Sequence, residues 1–305
     1  MSIASAGPIT LGLAFFVIYT SPLFMTGILS PVIVNEGSAA NLMSRYGGEG
    51  SVLVSFFKHP SIAGKVFALC TAIITFFWLY RRRGSLISEL FFVIAILLGF
   101  YCTYLTFVRT AWFMLIIILS IGAFSSVREF GLRHWVSLGL FLMIVTFLII
   151  SEPAFVNRIL GQKLGATQEL DAVAYSSGRL LIWLNIYDAM KASGLGGWIF
   201  GLGAAGYFDA VGNFYAHNMF VQIFAFSGIV GTLIVTAFFI ALIRYVFKTK
   251  ADSRYKRFVL SVIFAYVFAA LVSHGLEFWG AVLLAGLLVE LQHQHQRFLK
   301  KEQVH

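Results

Sequence analysis

In the stretch NFYAHNMFVQIFAFSGIVG, residues 213–231, a histidine and an asparagine, His217 and Asn218, stand where a run of apolar residues begins. Arg109, in LTFVRTAWFM, lies in a tight connection between two other apolar runs, and Arg179, in SGRLLIW, opens a helical pattern. His59 precedes Pro60 just ahead of an apolar run, and His274 and Glu277 lie between two more. A guanidinium grips phosphate through planar, often bidentate hydrogen bonds. A neutral imidazole accepts a proton from an attacking hydroxyl, or donates a hydrogen bond to a phosphate oxygen. Two arginines at the membrane surface therefore suit a pyrophosphate. Each residue also has a plainer reading. Arg109 would be a snorkelling interfacial arginine, Arg179 an anchor to lipid headgroups, His217 a polar residue at a span boundary, Asn218 a helix cap, and His274 with Glu277 a solvated turn. Tyr207 and Tyr215 could stack on sugars, although aromatic residues are common at membrane interfaces.

These residues need elements to hold them, and the composition sets what kind. Of the 305 residues, 59% are hydrophobic and only 11% charged, with a mean hydropathy of +0.87. A soluble domain of this size would need far more polar surface. Apolar runs long enough to cross a bilayer recur along the chain, which predicts an all-α, polytopic helical membrane protein. About eight spans are expected, near 9–34, 61–80, 86–106, 110–127, 135–151, 217–246, 257–273 and 276–292. The N-terminal stretch lacks the positive n-region of a secretory signal and reads as a retained first span. Cys70 and Cys102 both lie in apolar runs, so neither a disulfide nor a metal framework is expected.

Charge orients the spans. Arg81–Arg83, Arg128, Arg133, the six basic residues between Arg244 and Arg257, and Arg297, Lys300 and Lys301 make 14 of the 22 basic residues. An alternating count puts them all on one side, and cationic loops stay in the cytoplasm. Both termini are then expected to be cytoplasmic. The net charge of +9 reads as a topology signal with some attraction for membrane lipids, not as a nucleic-acid footprint. The chain divides into residues 1–54, a first span with a short external loop; 55–151, spans two to five; 152–216, a large outer loop; and 217–305, the last three spans with a basic tail. The sites named above share the outer face, whereas Glu89, Lys65 and Glu290 lie near span ends and leave the midplane nearly uncharged.

The large loop is the place to look for function. Within it Gly178 to Ala192 reads as an amphipathic helix along the membrane surface, with Leu180, Trp183, Leu184 and Tyr187 at helical spacing and Ser176 or Ser177 as its cap. The Gly-rich stretch that follows can turn tightly or let backbone N–H groups approach a ligand. It contains GLGAAG, a formal dinucleotide fingerprint, but no strand precedes it and no acidic residue follows about twenty residues later, so a flexible turn is expected instead. At the start of its helix, Arg179 adds its charge to a positive helix end that already favours anions. The substrate suggested is a polyprenyl pyrophosphate carrying a glycan.

The order FFKHPSIAGK before a span, FVRTAWF between spans, SGRLLIW in a large outer loop and AHNMFVQIFAFSGIVG at the start of the next span resembles the O-antigen ligase and O-antigen polymerase superfamily, with its exopolysaccharide polymerases. The resemblance covers roughly residues 55 to 290 and rests on motif order and sidedness more than on any single motif. It implies a membrane glycosyltransferase of the bacterial inner membrane. Such an enzyme inverts the anomeric centre of undecaprenyl-pyrophosphate-linked glycans at the periplasmic face, with no metal and no other cofactor. It also implies that Arg109 and Arg179 bind the pyrophosphate and that His217 sits at the reacting centre. Asn218, His274, Glu277, Tyr207, Tyr215 and His59 are the remaining candidates, for the acceptor side or for support of the site. His59 matches the family element only in part, because Ser61 stands where the family has asparagine. The family commonly has more N-terminal helices, so this sequence is either a compact version or lacks its start.

Polymerase and ligase differ in acceptor: the end of another lipid-linked repeat, or a polyphosphorylated lipid A–core. The loop sets Arg158, Lys163, Arg179 and Lys191 against Glu152, Glu169, Asp171, Asp188 and Asp209, a slightly acidic surface that suits a glycan acceptor better. Polymerisation of repeat units is therefore the first expectation, with a regulator of chain length as a further partner. A transporter or flippase of lipid-linked sugars is the competing class, and it would need polar groups through the midplane.

Overall fold

The computed structural model describes residues 8–21, 60–80, 84–106, 108–123, 135–136, 139, 179–212, 216–272 and 278–302. Among them every regular element is a helix: α1 (Pro8–Thr20), α2 (Pro60–Tyr80), α3 (Leu86–Leu105), α4 (Arg109–Ile117) running on into a π turn (Ile118–Ala123), α5 (Arg179–Ala192), α6 (Gly194–Phe200), α7 (Gly203–Val211), α8 (Met219–Lys248), α9 (Ser253–Val272) and α10 (Phe278–Glu302). Four helices, over residues 61–80, 86–105, 219–248 and 253–272, are long and apolar enough to cross a membrane, and shorter apolar helices cover 10–20 and 109–122. Eight spans were expected. The second half of the first expected span and nearly all of the fifth lie outside the described residues. The eighth differs, because α10 continues past its apolar part into Gln292–Glu302, which is mostly polar.

The chain forms two compact units. Unit one takes residues 1–164, 249–265 and 277–305, and unit two takes 165–248 and 266–276. In unit one α2 is buried on all sides, with Phe67, Leu69, Ile73, Ile74 and Phe76 inaccessible, as expected of a helix that is apolar all round. Its Thr71 and Thr75 hydroxyls donate to the Phe67 and Thr71 carbonyls, 2.7 and 2.8 Å away, so no polar group is stranded. Helix α3 is two-faced: Phe92, Ala95, Ile96, Gly99 and Phe100 face inward, while Leu90, Phe91, Ile94, Leu97 and Tyr101 are exposed. Gly99 lets α3 approach Thr71 of α2, where any Cβ would collide with the Thr71 side chain.

The corner between α2 and α3 is tied by Glu89, whose carboxylate accepts from Trp78 Nε1 at 2.8 Å and from the Gly84 amide at 3.2 Å. Ser85 caps α3 by accepting from the Ser88 amide at 3.3 Å. Helix α1 joins through Phe15, whose ring lies 4.7 and 5.0 Å from those of Phe91 and Phe92. Helix α9 stacks Phe258 on Phe76 at 4.1 Å, and the Tyr255 hydroxyl donates to the Leu287 carbonyl of α10 at 2.9 Å. Lys65 and Glu290, near the ends of their apolar runs, are both buried within this unit.

At one end of unit one the basic residues just before and at the start of α9 lie against α2 and α10. The Arg254 guanidinium lies over the Tyr80 ring at 5.3 Å and Lys250 over Phe298 at 5.9 Å. The Lys250 amide donates to His295 Nδ1 at 3.0 Å. Of the basic residues that the charge asymmetry assigned to a single side, Lys250 and Arg254 pack here, while Arg81–Arg83, Arg128 and Arg133 lie outside the described residues.

Candidate functional site

Unit two holds most of the candidate residues that fall within the described chain. Helix α5 starts at Arg179, one residue from the expected Gly178 and ending at the expected Ala192; Gly178 and the two candidate cap serines lie outside the described residues. The helix packs inward by a face other than the apolar stripe that the sequence laid along the membrane surface. Ile186 and Met190 are buried with Ile182 packed beside them, while Leu180, Trp183, Leu184 and Tyr187 are exposed.

Arg179 sends Nη1 to the Val272 carbonyl at the end of α9, 3.1 Å away. The last carbonyls of a helix lack partners within it, and a guanidinium satisfies one while matching the negative end of the dipole. This contact uses one of the five guanidinium donors. One turn on, Trp183 Nε1 donates to the Ala216 carbonyl at 2.8 Å. Four residues of helix advance about 6 Å, and helical side chains lean toward the N-terminus. The residue before His217 is thus fastened beside the turn that carries Arg179.

His217 has φ +53°, the one positive value among the described non-glycine residues. Its side chain is half-buried. Left-handed backbone is uncommon outside glycine, though histidine, asparagine and aspartate adopt it more readily than most. Three hydrogen bonds fix it, one before it and two after. Trp183 holds the Ala216 carbonyl before it, and after it Asn218 Oδ1 accepts from the Phe220 and Val221 amides at 2.9 and 3.1 Å. Asn218 is therefore the N-cap of α8, and its side-chain oxygen is committed to that role. The first turn of α8 follows one residue after the histidine.

Beneath these residues lies an apolar core of Ile186, Met190, Tyr207, Val211, Ala216 and Ala225. Tyr207 is fully inaccessible, with Phe226 edge-on at 4.6 Å and Phe208 at 5.2 Å. Its ring is a packing element with no face open for stacking on a sugar, contrary to expectation. Trp198 fills the gap between Tyr187 and Phe224, 6.0 and 5.8 Å from their rings.

The Gly-rich stretch forms two short helices, α6 and α7, in place of the flexible turn expected, and GLGAAG follows a helix, not a strand. The turn between them seats against a break in α8. Gly228 has φ +62° and ψ −158°, interrupting the helix, and Gly201 has φ +83°. A Cβ at Gly228 would meet the Ile199 carbonyl and, at 2.7 Å, the Gly201 nitrogen; one at Gly201 would meet the backbone of Phe226 and Ser227. The Leu202 amide donates to the Ala225 carbonyl across this junction at 2.8 Å. Two backbones approach this closely only where neither carries a side chain.

Arg109 belongs to unit one. It is exposed and occupies the first position of α4, after the short corner that follows Leu105. Gly64 of α2 makes room for that corner: a Cβ there would stand 2.6 Å from Thr106 Oγ1 and 3.1 Å from the Ala111 and Val108 side chains. Arg109 and Arg179 share a local setting. Each starts a helix whose first turn carries no acidic residue. A cation there opposes the helix dipole by about 0.3–1 kcal/mol, a penalty that a bound anion would reverse. His59, Tyr215, His274 and Glu277 lie outside the described residues. Among the described residues no group of three or more His, Cys, Asp or Glu is placed to hold a metal, and Cys70 and Cys102 are free, buried thiols.

Sequence reasoning missed Trp183 as an anchor, having read it only as part of an apolar stripe. An indole N–H that packs against protein finds an acceptor, and the tryptophan itself was the available signal. It also missed the pairing of Gly201 with Gly228, for which the sequence offers two separated glycines and nothing more. No protein-family model matches the chain, and a search of curated proteins finds no match.

Proposed function

We propose that this chain is a membrane glycosyltransferase that transfers glycan from a polyprenyl-pyrophosphate carrier at the outer membrane face, extending a growing polysaccharide by repeat units. The observation that carries this reading is the fastening of the His217 segment to the first turns of α5 by the Trp183–Ala216 bond, beside Arg179. A phosphate-binding group and a proton acceptor then occupy one end of one helix. The sequence resemblance supplies the substrate class, and four helices fit to cross a membrane supply the setting.

In the proposed step the acceptor hydroxyl attacks the anomeric carbon. Its proton passes to the neutral imidazole of His217 as the new C–O bond forms. The bond from that carbon to the pyrophosphate oxygen breaks, and the carrier leaves as its pyrophosphate anion. Cationic and N–H donors aimed at the departing oxygens stabilise that charge, commonly the largest single contribution to such catalysis. Arg179 fills this role, and the sequence resemblance assigns Arg109 the same task.

The test compares His217→Gln with His217→Ala. Glutamine still donates a hydrogen bond but does not serve as a base near neutral pH. If His217 is the base, both variants lose glycan formation from purified lipid-linked repeat alike, by about a hundredfold or more. If it only holds pyrophosphate, His217→Gln keeps far more activity than His217→Ala. Full activity in His217→Ala would remove the histidine from the site. Product length separates the acceptors: unpolymerised single repeats accumulate in cells lacking a polymerase, and long chains stay on the carrier in cells lacking a ligase.

A further inference from the structure

Helix α8 is 30 residues long, about 45 Å at 1.5 Å per residue, whereas a bilayer core is about 30 Å thick. Its surroundings change at one point. From Met219 to Gly228 no residue is exposed, because this part packs on α5, α6 and α7. From Ile229 onward the pattern inverts, and Ile229, Val230, Leu233, Ile234, Phe238 and Ile240 are all exposed. Ile229–Lys248 contains 20 residues, which span about 30 Å unaided. Arg244 and Lys248 stand at its far end, where basic side chains reach out of the hydrocarbon.

We propose that the bilayer boundary lies at Gly228, and that α5–α7 with the first ten residues of α8 form a cap resting on the lipid surface. The break itself supports this. Non-helical backbone exposed to hydrocarbon would strand polar groups. Here the Ala225 carbonyl freed by the break takes the Leu202 amide at 2.8 Å, and the junction is closed by Gly201. Phe200, next to Gly201 and so at the foot of the cap, is 69% exposed. It adjoins the level at which α8 begins to expose its own apolar residues, so one continuous apolar surface runs from the cap's foot onto the spanning part. Lipid is the occupant that fits a helix exposed over much of its circumference, since a protein partner would cover one side.

This bears on the candidate site. His217, which precedes the first residues of α8, lies outside the hydrocarbon instead of opening the span, on the side where the pyrophosphate of a membrane-anchored carrier is exposed. That consequence for the substrate rests on the proposed function; the boundary does not.

The test places a nitroxide on a single cysteine at Leu233, Gln222 or Phe200 in the full chain with Cys70→Ala and Cys102→Ala. The protein is reconstituted in vesicles of phosphatidylethanolamine and phosphatidylglycerol. Collisions with oxygen, which partitions into lipid, are compared with collisions with a water-soluble nickel chelate. At Leu233 oxygen collisions should exceed nickel collisions severalfold. Gln222 should lack that excess, and Phe200 should fall between. An excess at Gln222 equal to that at Leu233 would move the boundary to the start of α8 and overturn the proposal. Shielding of Leu233 from both reagents would mean that protein, not lipid, covers the helix, and nickel access at Leu233 would mean no span; either refutes it. If the cysteine replacements impair folding, the native cysteines are kept, since both are buried. No substrate enters the measurement, so the outcome is independent of the glycosyltransferase reading.

Discussion

Replacing Gly228 with alanine probes the junction that seats α6 and α7 on α8. Two separate terms act there. The backbone sits at φ +62°, ψ −158°, a region essentially reserved for glycine, and forcing another residue into it costs of order 1–3 kcal/mol. The new Cβ would also meet the Ile199 carbonyl and the Gly201 nitrogen. These are backbone atoms that cannot swing aside, and overpacking of this kind costs typically about 1–3 kcal/mol more. The sum is roughly 2–6 kcal/mol. Two other glycines separate the terms. Gly203, at φ +68° with nothing within 4 Å of its would-be Cβ, carries only backbone strain, about 1–2 kcal/mol. Gly196, inside α6 with open space around it, carries neither, and alanine there should stabilise by about 0.5–1 kcal/mol. Thermal unfolding of the purified protein in detergent should rank Gly196→Ala at or above the parent, Gly203→Ala below it, and Gly228→Ala lowest. At about 2–4 °C per kcal/mol, the last should melt at least roughly 4–8 °C below the parent. A Gly228→Ala variant that melts with the parent would refute the close approach.

Trp183→Phe keeps the ring and removes the N–H that holds the Ala216 carbonyl; we expect faster amide exchange confined to residues 216–221 and at least about a tenfold fall in turnover with little change in KM, as for a misplaced base, while unchanged exchange would show that the bond does not position His217. Arg179→Lys and Arg109→Lys keep charge but lose the planar fork, so product should fall sharply with insertion intact, and near-normal product from both would leave these arginines as interfacial anchors. A cysteine at Ala166 should react with a membrane-impermeant thiol reagent in intact cells and one at Ala251 should not; reversed labelling would put the candidate site in the cytoplasm.

The sequence by itself determined the class of structure and several local outcomes. An apolar content this high leaves little besides membrane helices, and α2, α3, α8 and α9 formed where the apolar runs lay. Helix α5 ended at Ala192 because its periodicity stops there and Ser193 and Gly194 follow. Asn218 capped α8 because a short polar side chain beside an apolar run finds the first free amides of the helix. Such features depend on residues a turn or two apart, and a linear reading sees them. What tertiary structure decided depends on residues far apart in the chain. The inward face of α5, Ile182, Ile186 and Met190, was set by the core that gathered around it, while the Leu180–Tyr187 stripe expected along the membrane surface stays exposed. Tyr207 went to the core because Phe208 and Phe226 closed around it. Trp183 met Ala216 across 33 residues, and Gly228 could break α8 without stranding the Ala225 carbonyl only because Leu202 arrived opposite it.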